Sequence, residues 1–132
     1  MKRNLPWPSP AFTLIVLRCM TGLVFLLHAS WRIITGSIRE FESFFRSRQV
    51  PFPQFSVWLL TVFEILAAIL LFVNYQTRIV ALALIGMLIA GIGMIHFPLG
   101  WFVGEHGTGG SEYSVVLIAA LLVIGSEKKK PV

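Results

Sequence analysis

The stretch AFTLIVLRCMTGLVFLLHASWRIIT, residues 11–35, decides the fold because it is long and apolar enough to cross a lipid bilayer. About 20 apolar residues, at ~1.5 Å of helical rise each, span the hydrocarbon layer. The basic residues Lys2 and Arg3 precede the stretch, and no small-residue cleavage site with a polar continuation follows it. We therefore expect a retained membrane anchor rather than a cleaved signal peptide.

Three further apolar runs follow the first one, separated by Pro-rich, Gly-rich or short polar segments. They predict an all-α fold, an integral membrane four-helix bundle that forms a single domain over residues 1–132. The predicted spans are approximately residues 11–35, 56–75, 78–97 and 109–126. The tight turn at residues 74–77 makes the second and third spans an antiparallel hairpin.

The composition supports a membrane protein. Hydrophobic residues make up 56% of the chain and charged residues only 13%, whereas about a quarter of a soluble domain is charged. The net charge of +5 comes without a Lys/Arg stripe interleaved with aromatics, so anionic lipid headgroups, and not nucleic acid, are the expected partner. The single cysteine, Cys19, excludes an internal disulfide and a CxxC pair. Any redox chemistry would thus come from a cofactor or a partner.

The Lys and Arg residues are distributed unequally between the two sides of a four-span bundle. The side that holds both termini and the middle turn carries six: Lys2, Arg3, Arg78, Lys128, Lys129 and Lys130. The other side carries three: Arg39, Arg46 and Arg48. Since basic residues favour the cytoplasmic side, we expect both termini in the cytoplasm.

The first loop contains IREFESFFRSR, residues 38–48, in which phenylalanines alternate with charges. Phe41, Phe44 and Phe45 recur at helical spacing, which predicts an amphipathic helix lying in the outer membrane interface. An ordinary loop with aromatic anchors is the alternative.

The third span contains GMLIAGIGMIH, residues 86–96, which is rich in small side chains. Small residues three or four positions apart let helix backbones approach closely. We therefore expect Gly86, Ala90, Gly91 and Gly93 to form a tight helix contact inside the bundle.

Polar residues of the first span fall on one face. At about 100° per residue, an arc of roughly 120° holds Arg18, Thr21, Gly22, Phe25, His28, Ala29 and Arg32. We expect this face to point into the bundle, as does the face of the second span that holds Glu64 together with Val57, Thr61, Ala68 and Leu71. The estimated depths of Arg18 and Glu64 allow an ion pair between them, which would either hold two helices in register or position a charge for a proton or an anionic headgroup.

A second group of polar residues is expected at the outer end of the bundle. His28, His96 and Glu112 come to one depth, beside Glu105 and His106 of the third loop. They are candidates for a two-His-one-carboxylate metal site. His28 and His96 could instead hold a haem, the group could form a pocket for a quinone headgroup, or the side chains could simply bind each other and water.

One ordered set of residues runs along nearly the whole chain: Arg18-x3-Gly22-x5-His28-x3-Arg32, then Phe44, Pro51, Glu64, Thr77-Arg78, His96 and Gly109-x2-Glu112-Tyr113. Its order and spacing resemble the DoxX family of bacterial membrane proteins, which often has His-Gly and Lys where this chain has His28-Ala29 and Arg32. The resemblance implies a four-helix layout in the bacterial cytoplasmic (inner) membrane. Relatives include a membrane subunit resembling part of thiosulfate:quinone oxidoreductase and proteins proposed to tether redox enzymes at the membrane.

Three functions are compatible with these observations. The first is an accessory or quinone- or lipid-binding subunit of a membrane redox system, with a redox enzyme or a second copy of the chain as its partner. The second is a metal- or haem-binding oxidoreductase subunit. The third is a small proton-coupled transporter, for which four short helices leave little room. The candidate site residues are Arg18, His28, Arg32, Glu64, His96 and Glu112.

Overall fold

The computed structural model describes residues 6–103 and 109–127 and contains five α-helices within them. These are α1 (Pro10–Ile34), α2 (Ile38–Ser47), α3 (Pro53–Phe72), α4 (Thr77–Gly91) and α5 (Glu112–Gly125). A π-helical segment, Ile92–His96, and a 3-10 turn, Phe97–Leu99, continue α4. The fold is all-helical in these ranges, apart from an isolated bridge between Val103 and Gly109. Some residues of the sequence predictions lie outside the described ranges: Lys2, Arg3, Glu105, His106, Lys128, Lys129 and Lys130.

Three helical segments of the described chain are long and apolar enough to cross a membrane: Pro10–Ile34, Pro53–Phe72 and Thr77–Leu99. They correspond to the first three predicted spans. The fourth predicted span is the shorter apolar helix α5, which has 14 residues and a length of ~21 Å. It begins later than predicted because the chain at its start binds the loop after α4 instead: the backbone amides of Ser111 and Glu112 donate hydrogen bonds to the carbonyl oxygens of Gly100 and Trp101.

The helices begin and end where their sequences favour it. The hydroxyl of Ser9 accepts a hydrogen bond from the Phe12 amide at 3.2 Å, and Pro10 occupies the first turn of α1. Gly36, with φ of +72°, turns the chain between α1 and α2, a conformation that glycine adopts without strain. The helix predicted from the phenylalanine spacing is confirmed as α2 and the loop alternative is wrong, while the position of this helix in the outer membrane interface stays a prediction.

Four helices, α1, α3, α4 and α5, form a ring. In this ring α1 and α4 each pack against α3 and α5, while α2 packs on α3. The inward face predicted for α1 is confirmed for six of its seven residues, since the buried residues of α1 are Arg18, Thr21, Gly22, Phe25, Ala29 and Arg32. The seventh, His28, is exposed. The predicted face of α3 is also buried. The apolar core is made by Phe25, Ala67, Ala68, Leu71, Val80, Ala81, Leu84, Leu117, Leu121 and Ile124.

The expectation that the glycines of the third span form a tight helix contact is wrong. A Cβ atom added to Gly86, Gly91 or Gly93 would find nothing within 4 Å. Close helix approach occurs instead at Gly22, where an added Cβ would lie 3.3 Å from the Ala68 carbonyl oxygen, and at Gly125, 3.3 Å from the Ala81 Cβ.

Candidate functional site

Arg32, near the end of α1, is the centre of a buried polar cluster. Its guanidinium donates to the hydroxyl of Thr61 at 2.8 Å and lies 3.2 Å from Oε2 of Glu64. Thr61 in turn donates to the Val57 carbonyl oxygen at 2.8 Å. The side chains of Arg32 and Glu64 are only 8% and 4% exposed. The two charges therefore compensate each other, and they join α1 to α3 at what we call the Arg32 end of the bundle.

Arg18 does not bind Glu64, so the predicted ion pair between them is wrong. Arg18 instead lies 3.2 Å from the carboxylate of Glu127, just after α5. The reason is an axial offset: Gly22 approaches Leu71, so that the first turns of α1 extend beyond the last turn of α3. The two arginines of the predicted polar face thus lie at opposite ends of the bundle. We call the end that holds Arg18 and Glu127 the Arg18 end.

A cavity of about 730 Å³ occupies the Arg32 end of the bundle. Four of the six candidate site residues line it: His28, Arg32, Glu64 and His96. The other lining residues are mostly apolar and come from all five helices, so the cavity combines apolar walls with a few polar groups. It exists because α1 and α4 lie diagonally across the ring and because the facing positions of α4, Ala90 and Gly91, have little side chain to fill the gap.

The π-helical segment shapes one wall of this cavity. Met94, Ile95 and His96 are consecutive, yet all three line the cavity. An ordinary α-helix would turn three successive side chains through about 200°, and short π segments are frequent at functional sites. His96 is anchored there, with its Nδ1 atom 2.7 Å from the Gly109 carbonyl oxygen.

Helix α2 supplies another wall. Phe41 and Phe45 line the cavity, and their ring centroids are 4.7 Å apart. The Arg32 guanidinium carbon lies 5.0 Å from the centroid of the Phe41 ring, within the range of a cation–π contact. The sequence prediction of the site does not include these phenylalanines, although their helical spacing is a signal that can indicate a buried face.

Glu112, the first residue of α5, does not line the cavity. Its carboxylate accepts a hydrogen bond from the Val103 amide at 2.8 Å and thereby ties α5 to the loop that follows α4. Within residues 6–103 and 109–127, no group of three or more His, Cys, Asp or Glu side chains could hold a metal ion. His28, His96 and Glu112 are thus not brought together as three ligands there.

A sequence model of the DoxX family matches residues 13–97, from the start of α1 to the 3-10 turn. The chain belongs to the DoxX family. The matched region contains the four predicted site residues that line the cavity, whereas α5, with the polar lining residues Tyr113 and Ser114, lies beyond it. No curated protein and no solved structure matches the chain significantly. Together with its three span-length apolar helices, the family match identifies this DoxX protein as a membrane protein.

Proposed function

We propose that this DoxX protein is an accessory subunit of a membrane redox system and that it binds an amphiphile, a quinone or a lipid, in the cavity at the Arg32 end. The observation that carries the proposal is the combination of apolar walls and a few polar side chains, four of them predicted site residues, around one cavity of about 730 Å³. Clefts of ≈ 300–1,000 Å³ with few polar groups are typical of ligand sites.

The charges at the cavity favour a headgroup that forms hydrogen bonds. The charge of Arg32 is compensated by Glu64 and its guanidinium is already engaged by Thr61. His28 faces the cavity and makes no hydrogen bond to any other described residue. A polar headgroup bound beside His28 would satisfy the imidazole, while the apolar walls would hold the chain or ring of the amphiphile.

The accessory role follows from what the chain lacks for electron transfer. Its single cysteine cannot form an intramolecular disulfide, so electrons to or from a bound quinone would come from a cofactor or a partner, and we propose a partner. The resemblance to a membrane subunit of a quinone-linked enzyme system supports the same role. The partner is then a redox enzyme docked on the membrane-embedded subunit.

We further propose that α5 completes a four-span topology with both termini in the cytoplasm of the bacterial inner membrane. The helix is ~21 Å long, so it would cross only with its flanking residues or with local thinning of the bilayer. The excess of Lys and Arg at the termini and at the middle turn supports this orientation.

A pair of glycine substitutions on α4 tests ligand binding. Gly91→Leu places a side chain into the cavity, whereas Gly86→Leu adds the same side chain outside it, and neither added Cβ meets an atom within 4 Å. The protein is extracted gently, and co-purified lipids and quinones are measured by mass spectrometry. We expect a bound amphiphile in the wild type and in Gly86→Leu but not in Gly91→Leu; equal retention in both variants would contradict the cavity site.

Isolation of intact complexes tests the accessory role. The wild-type chain is purified under the same gentle conditions, and co-purifying proteins are identified by mass spectrometry. A stoichiometric redox enzyme is expected, and its absence together with the absence of a bound quinone would refute a redox role. Retention of a lipid alone would leave only a lipid-binding function.

A further inference from the structure

A groove separate from the cavity lies on the outer surface of the bundle, at the Arg18 end and between α4 and α5. Its volume is about 230 Å³. The lining residues are Arg78, Ala81, Leu82, Ile85, Leu121, Leu122, Gly125 and Ser126. None of these residues lines the larger cavity.

The shape of the groove follows from the packing of α4 on α5. The two helices approach closely at Ala81 and Gly125, where an added Cβ would lie 3.3 Å from the Ala81 Cβ. Leu82 and Leu122 stand on either side of this contact and are 64% and 59% exposed. The small residues thus form a floor and the leucines form two ridges. From Arg78 to Ile85 the groove follows α4 for ~10 Å, enough for a segment of an extended hydrocarbon chain.

The charge at one end of the groove is positive. Arg78 lies there, exposed, and makes no ion pair or hydrogen bond with the other described residues. The acidic residue just after α5, Glu127, is already paired with Arg18. Three lysines, residues 128–130, follow Glu127 in the sequence. The groove therefore combines an apolar channel with an unneutralised cation at its mouth.

We propose that this groove binds one anionic phospholipid, with an acyl chain between the Leu82 and Leu122 ridges and the headgroup phosphate on the Arg78 guanidinium. An arginine guanidinium presents several N–H donors that suit a phosphate. The charge selects an anionic lipid over a zwitterionic one. This site is independent of the cavity at the Arg32 end and of the ligand proposed there.

Native mass spectrometry of the full chain in detergent tests whether the charge of Arg78 contributes to lipid binding. The protein is titrated with equal amounts of phosphatidylglycerol and phosphatidylcholine, and the ratio of the two singly bound states is measured. The wild type is expected to prefer phosphatidylglycerol, and Arg78→Gln is expected to lower that preference about fivefold, the effect of one cation near a membrane surface. The matched control Arg39→Gln removes an exposed arginine from α2 and is expected to keep the preference.

The groove itself is tested with paired leucine substitutions. Leu82→Ala with Leu122→Ala removes both ridges, and we expect loss of the retained phosphatidylglycerol. The control, Leu66→Ala with Ile69→Ala, shortens two exposed side chains of α3 and should leave it bound. Equal effects of the Arg78 and Arg39 variants, or of the two double variants, would overturn the proposal. So would a preference that is unchanged in Arg78→Gln and disappears only when the three lysines become glutamine.

Discussion

At the scale of single residues, the buried Arg32–Glu64 pair makes a prediction about the stability of the bundle. Both side chains are buried, so removing one partner leaves an uncompensated charge. Glu64→Ala is therefore expected to lower the free energy of unfolding by about 3–5 kcal/mol. The double substitution Arg32→Met with Glu64→Leu removes both charges and is expected to recover most of that loss. Denaturant titration in detergent micelles measures both effects.

The more exposed pair on α2 is the control for that experiment. Arg46 lies 2.9 Å from Glu42, four residues earlier on the helix, and the two side chains are 72% and 21% exposed. Glu42→Ala should therefore cost only about 0.3–0.5 kcal/mol. A Glu64→Ala variant as stable as Glu42→Ala, or a double variant no more stable than Glu64→Ala, would show that the pair is not an interdependent buried unit.

Thr61 offers a second residue-scale prediction because its hydroxyl accepts the shorter hydrogen bond from Arg32. Thr61→Val keeps the side-chain shape but leaves one buried guanidinium donor without that acceptor. We expect a loss of about 1–3 kcal/mol in the same unfolding measurement. Thr13→Val is the control, since among the residues that the structure describes the Thr13 hydroxyl bonds only to the Ser9 carbonyl, at an exposed position. Equal losses in the two variants would contradict the role assigned to Thr61.

Residue-scale features differed in how far the sequence could predict them. The buried face of α1 was predictable because burial of a face depends on angular position, which helical periodicity determines. The partner of Arg18 was not, because ion pairing also depends on how far one helix is displaced along its axis relative to another. A residue's depth in the membrane, when it is counted from the boundary of its own span, assumes that neighbouring helices are not displaced along their axes. Here α1 extends beyond α3 at the Arg18 end, so the counted depths of Arg18 and Glu64 did not predict their pairing.

At the scale of the elements, the contact between α1 and α3 depends on Gly22. An added Cβ there would lie 3.3 Å from both the Ala68 carbonyl oxygen and the Phe72 ring, so a larger side chain forces the helices apart. Gly22→Leu is expected to destabilise the bundle by about 1–3 kcal/mol, measured by unfolding in micelles. Gly86→Leu adds the same side chain where nothing lies within 4 Å, and a comparable loss in that control would contradict the packing argument.

The packing of α2 on the bundle gives a second prediction at this scale. Phe41 and Phe45 hold α2 against the cavity, so Phe41→Ala with Phe45→Ala should weaken its docking. Trypsin cleavage in the α2 region is expected to become faster, because a protease needs local opening of the backbone. Phe55→Ala, at an exposed position on α3, should leave the rate unchanged. An unchanged rate in the double variant would show that these rings do not hold α2 in place.

The existence of α2 was predictable from the spacing of its phenylalanines, but its position as a cavity wall was not. That position depends on the turn at Gly36 and on packing against α3. The prediction for the α4 glycines is wrong for a similar reason. Small residues permit a close helix contact, but they equally permit a cavity when the facing helix lies diagonally across the ring, as α1 does at Gly91.

For the molecule as a whole, hydropathy alone predicted a helical membrane protein because spanning a bilayer requires long apolar segments. The cavity could not be predicted in this way. It results from the ring arrangement of four helices and from small side chains at one end, whereas core residues, mostly leucines and alanines, fill the ring nearer the other end. A ligand site at the Arg32 end therefore depends on the assembled bundle rather than on any one motif.

The proposed topology makes a prediction about which segments share a side of the membrane. With Cys19→Ser as background, single cysteines are introduced by Ser47→Cys in α2, Tyr75→Cys at the α3–α4 turn and Ser126→Cys after α5; all three positions are exposed. A membrane-impermeant maleimide should label Ser47→Cys in intact spheroplasts, whereas the other two should react only after the membrane is opened. Labelling of Ser126→Cys in intact spheroplasts would mean that α5 does not cross the membrane. The reverse pattern for all three positions would show that the orientation is opposite to the one proposed.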